Sequence, residues 1–185
     1  MSAESLEPLT DDELVGACLD GRRDAFDVIV ARHQKSVYHV CYRFTGNHAD
    51  ASDLSQETFL RAWRGLRGFK RQSSLGTWLY RIAVNAALNR VSSRQPEGGS
   101  VDGLRLPDER GGTPADDVIR GEEAASVRRA IAALPDRQRA TVILRVYHEL
   151  SHPEIAAILG SSVGSVKANF FHALRNLRRL MMERS

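Results

Sequence analysis

Apolar residues in this chain recur at intervals of three and four, and no segment alternates apolar and polar for any length. Phe26, Ile29, Val30, Val37, Val40, Cys41 and Phe44, with His33 among them, fall on one face of a long helix. A pattern of this period cannot offer a flat apolar face as a strand would, so it restricts the chain to helices packed on helices.

The same period, read with its stops, gives the other elements. Thr10-Asp11-Asp12-Glu13 has the form of a capping box, opening a short helix that ends at Asp20-Gly21. Thr45-Gly46-Asn47 breaks the long helix. A third helix is predicted from about Ala49 to Trp63, with Leu54, Thr58, Phe59 and Ala62 inward. After a turn containing Gly65, Gly68, Ser73, Ser74 and Gly76, a fourth carries Trp78, Leu79, Ile82, Ala83, Ala86 and Leu88.

Composition then changes. Residues 92–116 hold Pro96, Pro107, Pro114 and five glycines with few large apolar side chains, which predicts a flexible or extended linker. The helical signal returns at about Asp117 with Val118, Ile119, Ala124, Val127, Ile131 and Leu134. Pro135 is placed at the first position of a further helix through Val142, Leu144 and Val146. Ser151-His152-Pro153-Glu154 is a second capping box, ahead of Ile155, Ala156, Ile158 and Leu159. Gly160 ends that helix. Ser161 or Ser162 caps the last one, with Val163, Val166, Phe170, Leu174, Leu177 and Leu180. The expectation is an all-α chain of two small domains, residues 10–91 and 117–182, with four helices each and the linker between.

The 185 residues are 42% apolar and 26% charged, enough to bury a core. No apolar run approaches the roughly 20 residues of a membrane span. The first ten residues lack a basic and an apolar region, so no signal peptide is expected and residence in the cytoplasm is. Cys18 and Cys41 share no metal-ligand spacing and read as buried small hydrophobes. The net charge of +3 is unevenly spread. Residues 1–20 carry six acids and no Lys or Arg, and residues 61–94 carry eight bases and no acid. Residues 163–185 carry five bases against Glu183. Two separate basic segments suggest two contacts with a polyanion.

Residues 151–180 form the strongest motif, two helices around a tight Gly-containing turn. Ala156 is small where the helices cross, and Val166 anchors the second to the first. With Val163, Val166, Phe170 and Leu174 inward, the outer face shows Ser165, Asn169, His172 and Arg175 to the base edges of a major groove. Lys167, Arg178 and Arg179 flank it as phosphate ligands. Phe171 suits either a thymine methyl or a packing neighbour. In the other basic segment, Trp63, Phe69, Trp78 and Tyr80 lie among the cations, and stacking plus phosphate pairing is how proteins hold single-stranded DNA. Trp63, Trp78 and Tyr80 also stand at helical spacing and read first as packing residues.

Taken together these residues resemble the extracytoplasmic-function sigma factors, the smallest class of the sigma-70 family. Asp53-Leu-Ser-Gln-Glu-Thr-Phe-Leu-Arg-Ala-Trp63 is similar to the family's polymerase-gripping helix. The stretch from Thr77 to Arg90 is similar to the segment that melts and reads the −10 element. Ala133–Arg139 resembles the entry to the second domain, and Glu154–Gly160 with Val163–Lys167 its −35-reading helix-turn-helix. The resemblance implies that Asp53, Gln56 and Glu57 bind the clamp coiled coil of core RNA polymerase. It implies that Arg81, Asn85, Asn89 and Arg90, with Phe69, Lys70 and Arg71 in the adjacent loop, face the −10 element. It further implies contact with the polymerase flap, promoter DNA as ligand, and an anti-sigma partner released by a stress signal. No catalytic residue, cofactor or metal follows from it. Ala168–Ala173 departs from the family's basic run, and Asn89 stands where aspartate is common.

Two rival readings are weighed against this one. A transcriptional regulator sharing the helix-turn-helix predicts an N-terminal receiver domain, which residues 10–91 lack in their βα content. A metal-dependent nuclease would have to use His39, His48, Asp50 and Asp53, with no Gly-rich phosphate loop or metal-binding motif to support them.

Overall fold

The long amphipathic segment and its partners fold into an antiparallel pair, α2 (Asp24–Thr45) and α3 (His48–Gly65), against which the other helices of the first unit pack. The computed structural model describes residues 6–93 and 114–183, and every regular element among them is helical. The chain divides into two compact units near Val91, with Ala157–Gly160 grouping with the first.

In the first unit α1 (Asp11–Leu19) begins with the expected box: Thr10 N donates to Glu13 Oε2 at 2.7 Å, and Glu13 N donates to Thr10 Oγ1 at 3.3 Å. The turn out of α1 places Gly21 at φ 97°, where a side chain would be strained. Gly46, at φ 72°, stops α2, and Asn47 caps α3 by accepting from the Asp50 amide at 2.8 Å. Asp11 ties α1 to α2, taking Arg32 at 2.6 Å and His33 at 2.9 Å. A short 3₁₀ turn (Leu66–Gly68) and a loop lead to α4 (Leu75–Ser93). Leu14, Ile29, Val37, Val40, Leu54, Leu75 and Leu79 are fully buried between these helices. Each such aliphatic side chain stabilises the fold by about 1.5–3 kcal/mol. Cys18 and Cys41 are free and buried, as their neighbours in sequence indicate. Burial pushes the Cys41 thiol up to about 12.

The second unit contains α5 (Pro114–Ala132), α6 (Asp136–Val142), the first part of α7 (His152–Leu159), and α8 (Val163–Met182). Ala130, Ile131, Leu134, Val142, Ile143, Leu144, Ile155, Val166 and Ala173 are buried in it. Asn176 on α8 donates to Gln138 on α6 at 2.8 Å.

Three expectations are corrected. Most of the segment expected as linker, residues 94–113, lies outside the described residues, but its edges are helical: α4 runs to Ser93, and α5 starts at Pro114. Proline is compatible with a first helical position, because its missing N–H has no partner there in any case. Pro135 stands one place earlier than expected, at the N-cap of α6 with ψ 144°, leaving the first position to Asp136, whose charge suits the helix dipole. After Val142 the backbone widens into a π turn over Ile143–Tyr147 and then takes Glu149 through φ 54°.

Candidate nucleic-acid interface

The helix-turn-helix is built from α7, a turn with Gly160 at φ 59°, and α8. Ser151 and Glu154 reproduce the expected capping box of α7, and their hydrogen bonds hold the Glu154 carboxyl below its ordinary pKa. Of the two serines offered for α8, Ser162 is the cap, accepting from the Ser165 amide at 3.1 Å. The ring of His152 at the start of α7 meets Phe170 of α8 edge-on at 6.0 Å.

The inward face of α8 is rotated from the one expected. Val166 and Ala173 are buried and Phe170 half-buried, whereas Val163 and Leu174 are exposed. Ala173 decides the matter: a small residue seven positions after Val166 lets α8 approach its neighbours along that line, and the bulkier Leu174 is carried outward. On the outer arc Ser165, Lys167, His172, Arg175, Arg178 and Arg179 are all exposed. Asn169 moves to the edge of the arc and is half-buried. Arg179 pairs with Glu183 at 3.2 Å. Phe171 is 65% exposed in the middle of this polar arc, its ring meeting that of His172 edge-on.

In the first unit, Thr77, Arg81, Asn85 and Asn89 lie four residues apart on α4, so they share one face. Arg81, Asn85 and Asn89 are exposed on it. The opposite face, Leu79, Ala83, Ala86 and Ala87, is buried. The preceding loop carries Lys70 and Arg71, both exposed, and Arg71 reaches the Asp12 carbonyl at 3.3 Å.

Two residues expected on the −10 face are placed otherwise. Phe69 is buried, its ring 5.1 Å from that of Trp78. Arg90 points toward α3, where Nη1 lies 3.2 Å from Asp50 Oδ1 and Nη2 4.0 Å from Glu57 Oε2. Of the aromatics read first as packing residues, Trp78 and Tyr80 are half-buried and Trp63 is 39% exposed.

The outer face of α3 presents Asp53 and Gln56 exposed and Glu57 half-buried, the last paired with Arg61 and Arg90. Leu60, 57% exposed, continues the same face and was missed in the sequence. Its signal was present: it stands seven residues after Asp53 and three after Glu57, where a helix cannot bury it together with Leu54 and Thr58. Two of the four groups a nuclease would need are otherwise employed. His48 Nδ1 is bonded to Tyr38 Oη at 2.5 Å, and Asp50 is engaged by Asn47 and Arg90. Among the described residues no cluster of His, Cys, Asp or Glu could hold a metal, and no helix is long and apolar enough to cross a membrane.

Comparison with known proteins agrees with this arrangement. Residues 29–97 match Sigma-70 region 2, and residues 124–177 match Sigma-70, region 4. The ECF RNA polymerase sigma factor SigW of Bacillus subtilis is 33% identical, over 88% of this chain and 92% of its own. The ECF RNA polymerase sigma-E factor of Escherichia coli (strain K12) is 36% identical, over 90% of this chain and 92% of its own. Among solved structures, CnrH in complex with the cytosolic domain of CnrY superposes with a TM-score of 0.70 and 26% identity, covering 95% of this chain and 99% of that one. The sigma factor RpoE of Bartonella quintana, solved with the anti-sigma factor NepR, shares the fold at a TM-score of 0.61 and 21% identity, over 85% of this chain and 96% of that one. Both units, in the same order and over nearly the whole chain, match one family: the protein belongs to the extracytoplasmic-function sigma factors of the sigma-70 family, which direct RNA polymerase to promoters.

Proposed function

We propose the following division of labour for this sigma factor. The α3 face of Asp53, Gln56, Glu57 and Leu60 docks on the clamp coiled coil of core RNA polymerase. Carboxylates around one exposed leucine suit a basic, amphipathic partner helix, with charge steering encounter and the apolar contact prolonging it. The stripe of Arg81, Asn85 and Asn89, with Lys70 and Arg71 beside it, holds the −10 element. Phe69 and Arg90 act behind that surface, Phe69 by supporting the loop on Trp78 and Arg90 by joining α4 to α3. The second unit places α8 in the major groove of the −35 element. There Arg175, His172, Asn169 and Ser165 face bases, and Lys167, Arg178 and Arg179 face phosphates. The second unit also meets the polymerase flap.

The observation that carries this reading is the stripe on α4. Amide and guanidinium groups repeat every four residues on one exposed face, while its reverse is buried in the unit's core. Such a face can pair with unstacked bases and offset unstacking costs of a few kcal/mol. The protein supplies specificity in the cytoplasm, and the polymerase supplies the chemistry. An anti-sigma factor is its expected regulator, since both solved relatives above were captured with a partner protein, in one case explicitly an anti-sigma factor.

The test adds the purified protein to sigma-free core RNA polymerase and maps transcript 5′ ends on fragmented genomic DNA of its own organism. Discrete starts preceded by two spaced elements are expected. Binding to duplex DNA without polymerase binding or transcripts would favour the regulator reading instead.

A further inference from the structure

Arg71 sits in the loop between the 3₁₀ turn and α4 with a left-handed backbone, φ 54°. That conformation crowds the Cβ of any side-chain-bearing residue against the following carbonyl. It persists only where surrounding structure imposes it. For Arg71 the outside contacts lie on α1. Nη2 donates to the Asp12 carbonyl at 3.3 Å, and Nε lies 4.0 Å from Asp12 Oδ1.

A carbonyl within a helix is ordinarily covered. Side chains lean toward the helix N-terminus, so the residue four positions on lies over the turn that holds it. Four positions after Asp12 stands Gly16, which has no side chain to cover anything. A Cβ placed on Gly16 would meet Arg71 Nη2 at 3.8 Å, an ordinary contact, whereas a longer side chain would take the place of the guanidinium. Glycine is unfavourable in the middle of a helix. The access it gives Arg71 is a physical reason for its presence there.

The platform under Arg71 is itself fixed. Asp11 binds Arg32 and His33 of α2, so the neighbours Asp11 and Asp12 tie α1 in two directions, one to the core pair of helices and one to the loop. The loop is also held at both ends. Phe69 packs on Trp78, and Ser74 caps α4 by accepting from the Thr77 amide at 3.1 Å. Arg71 stands between these anchors, with exposed Lys70 and Gln72 on either side. Its tether to α1 therefore sets how those two side chains are presented.

We infer that Gly16 and Asp12 of α1 are positioning residues for the −10 element: by holding the Arg71 guanidinium they give the loop its DNA-binding shape before DNA arrives. The inference rests on the −10 reading of the first unit and adds to it two residues of α1 that are not themselves part of the α4 stripe or its loop. Preforming the loop spares the cost of ordering it on binding.

The experiment uses holoenzyme reconstituted from core RNA polymerase and the full chain, on a promoter found by the transcript mapping above. Competition against duplexes substituted singly across the −10 element reads base preference, over a range of salt. Gly16→Leu should lower the preference for the native −10 sequence by about tenfold, the scale of one lost base contact. Its thermal midpoint, core polymerase affinity and salt slope should stay those of the wild type. Gly16→Ala, whose methyl group fits, should keep the preference. Arg71→Gly reads the same tether without altering α1, since glycine accepts the left-handed turn. It should lose the preference too, and Gly16→Leu should add nothing further in that background.

An unchanged preference in Gly16→Leu would overturn the inference and leave the −10 reading standing. So would equal losses in Gly16→Ala and Gly16→Leu, which would trace the effect to α1 folding, or additive losses in the double variant. A uniform loss on all sequences in Arg71→Gly, with the salt slope lower by about 0.7, would make Arg71 a phosphate ligand and overturn the positioning role. Wild-type holoenzyme indifferent to every −10 substitution would remove the −10 reading and the inference with it.

Discussion

Arg90 Nη1 lies 3.2 Å from Asp50 Oδ1, and this pair joins α4 to the start of α3. Asp50 is only 7% exposed, so its charge depends on groups within the protein, the Asn47 cap and Arg90 among them. Removing a partner from a buried charge costs more than the pair contributes, because the remaining ion stays desolvated. Arg90→Ala should therefore destabilise the first unit by about 1–3 kcal/mol, read as a lower urea midpoint. Arg81→Ala, on the exposed face of the same helix, should leave the midpoint unchanged and weaken DNA binding. Equal midpoints for the two variants would return Arg90 to the DNA-facing set.

The recognition helix separates base contacts from packing in a similar way. Arg175 and Phe171 are both exposed, and neither Arg175→Ala nor Phe171→Ala should change thermal stability. On the preferred −35 duplex, Arg175→Ala should cost about 1–3 kcal/mol and relax preference at one base pair. Phe171→Ala should cost less, and its loss should vanish on a duplex in which uracil, lacking the methyl group, replaces thymine. Competition binding against single-substituted duplexes measures both. An equal loss on all sequences would make Arg175 a phosphate contact.

Why the outer faces were harder to read than the fold is visible in these same residues. Helix periods, capping boxes and glycine stops are local, so Thr10-Glu13, Gly46 and Ser151-Glu154 announced their elements in the sequence. The rotation of α8 is not local. Leu174 and Ala173 are both apolar and adjacent, and only the close approach of neighbouring helices selects the smaller for the inside. Arg90 was assigned to the DNA face by its place in a family motif, whereas its partner Asp50 lies 40 positions away on another helix. The π turn at Ile143–Tyr147 left no periodic mark, since one extra residue in a turn resembles the end of a helix.

Leu60 offers a direct test of the docking face. It is exposed, so a polar replacement should not disturb the core. Leu60→Asp should leave circular dichroism and DNA binding by the free protein unchanged while lowering affinity for core RNA polymerase by about 1–3 kcal/mol, the ordinary cost of deleting an apolar contact at an interface. Asp53→Arg should act in the same direction with a stronger dependence on salt. Native polymerase affinity in both variants would place the clamp contact elsewhere.

Glu149 holds a left-handed backbone at φ 54° between the π turn and the capping box of α7, a conformation that costs a side-chain-bearing residue about 1–2 kcal/mol. Arg145 Nη1 donates to the Leu150 carbonyl at 2.9 Å and helps hold the bend. Glu149→Gly should relieve the strain and stabilise the second unit by about 1 kcal/mol, part of the gain being lost to the greater freedom of glycine in the unfolded chain. Glu149→Val should destabilise it, since a β-branched residue tolerates this region least. Differential scanning calorimetry, resolving the two units, would show the upper and lower shifts; a lower melting temperature for Glu149→Gly would mean that the Glu149 side chain itself supports the bend.

The two capping boxes set the acid sensitivity. Glu13 and Glu154 each accept hydrogen bonds from their cap, which hold both carboxyls below the ordinary glutamate value of 4.5. A carboxyl depressed on folding adds stability that is fully present above its unfolded pKa and is lost as pH falls through its folded one. The two boxes therefore contribute at neutral pH and fade in acid below about 4.5. Replacing both acids, Glu13→Gln and Glu154→Gln, keeps a side-chain oxygen in reach of each cap but removes the charge. The doubly substituted chain should be less stable than the wild type at pH 7, and the difference should close as falling pH protonates the wild-type carboxyls, below the ordinary glutamate value. Urea titrations across that range measure it. A difference that stays constant with pH would show that the carboxylates act through packing and not through their ionised form.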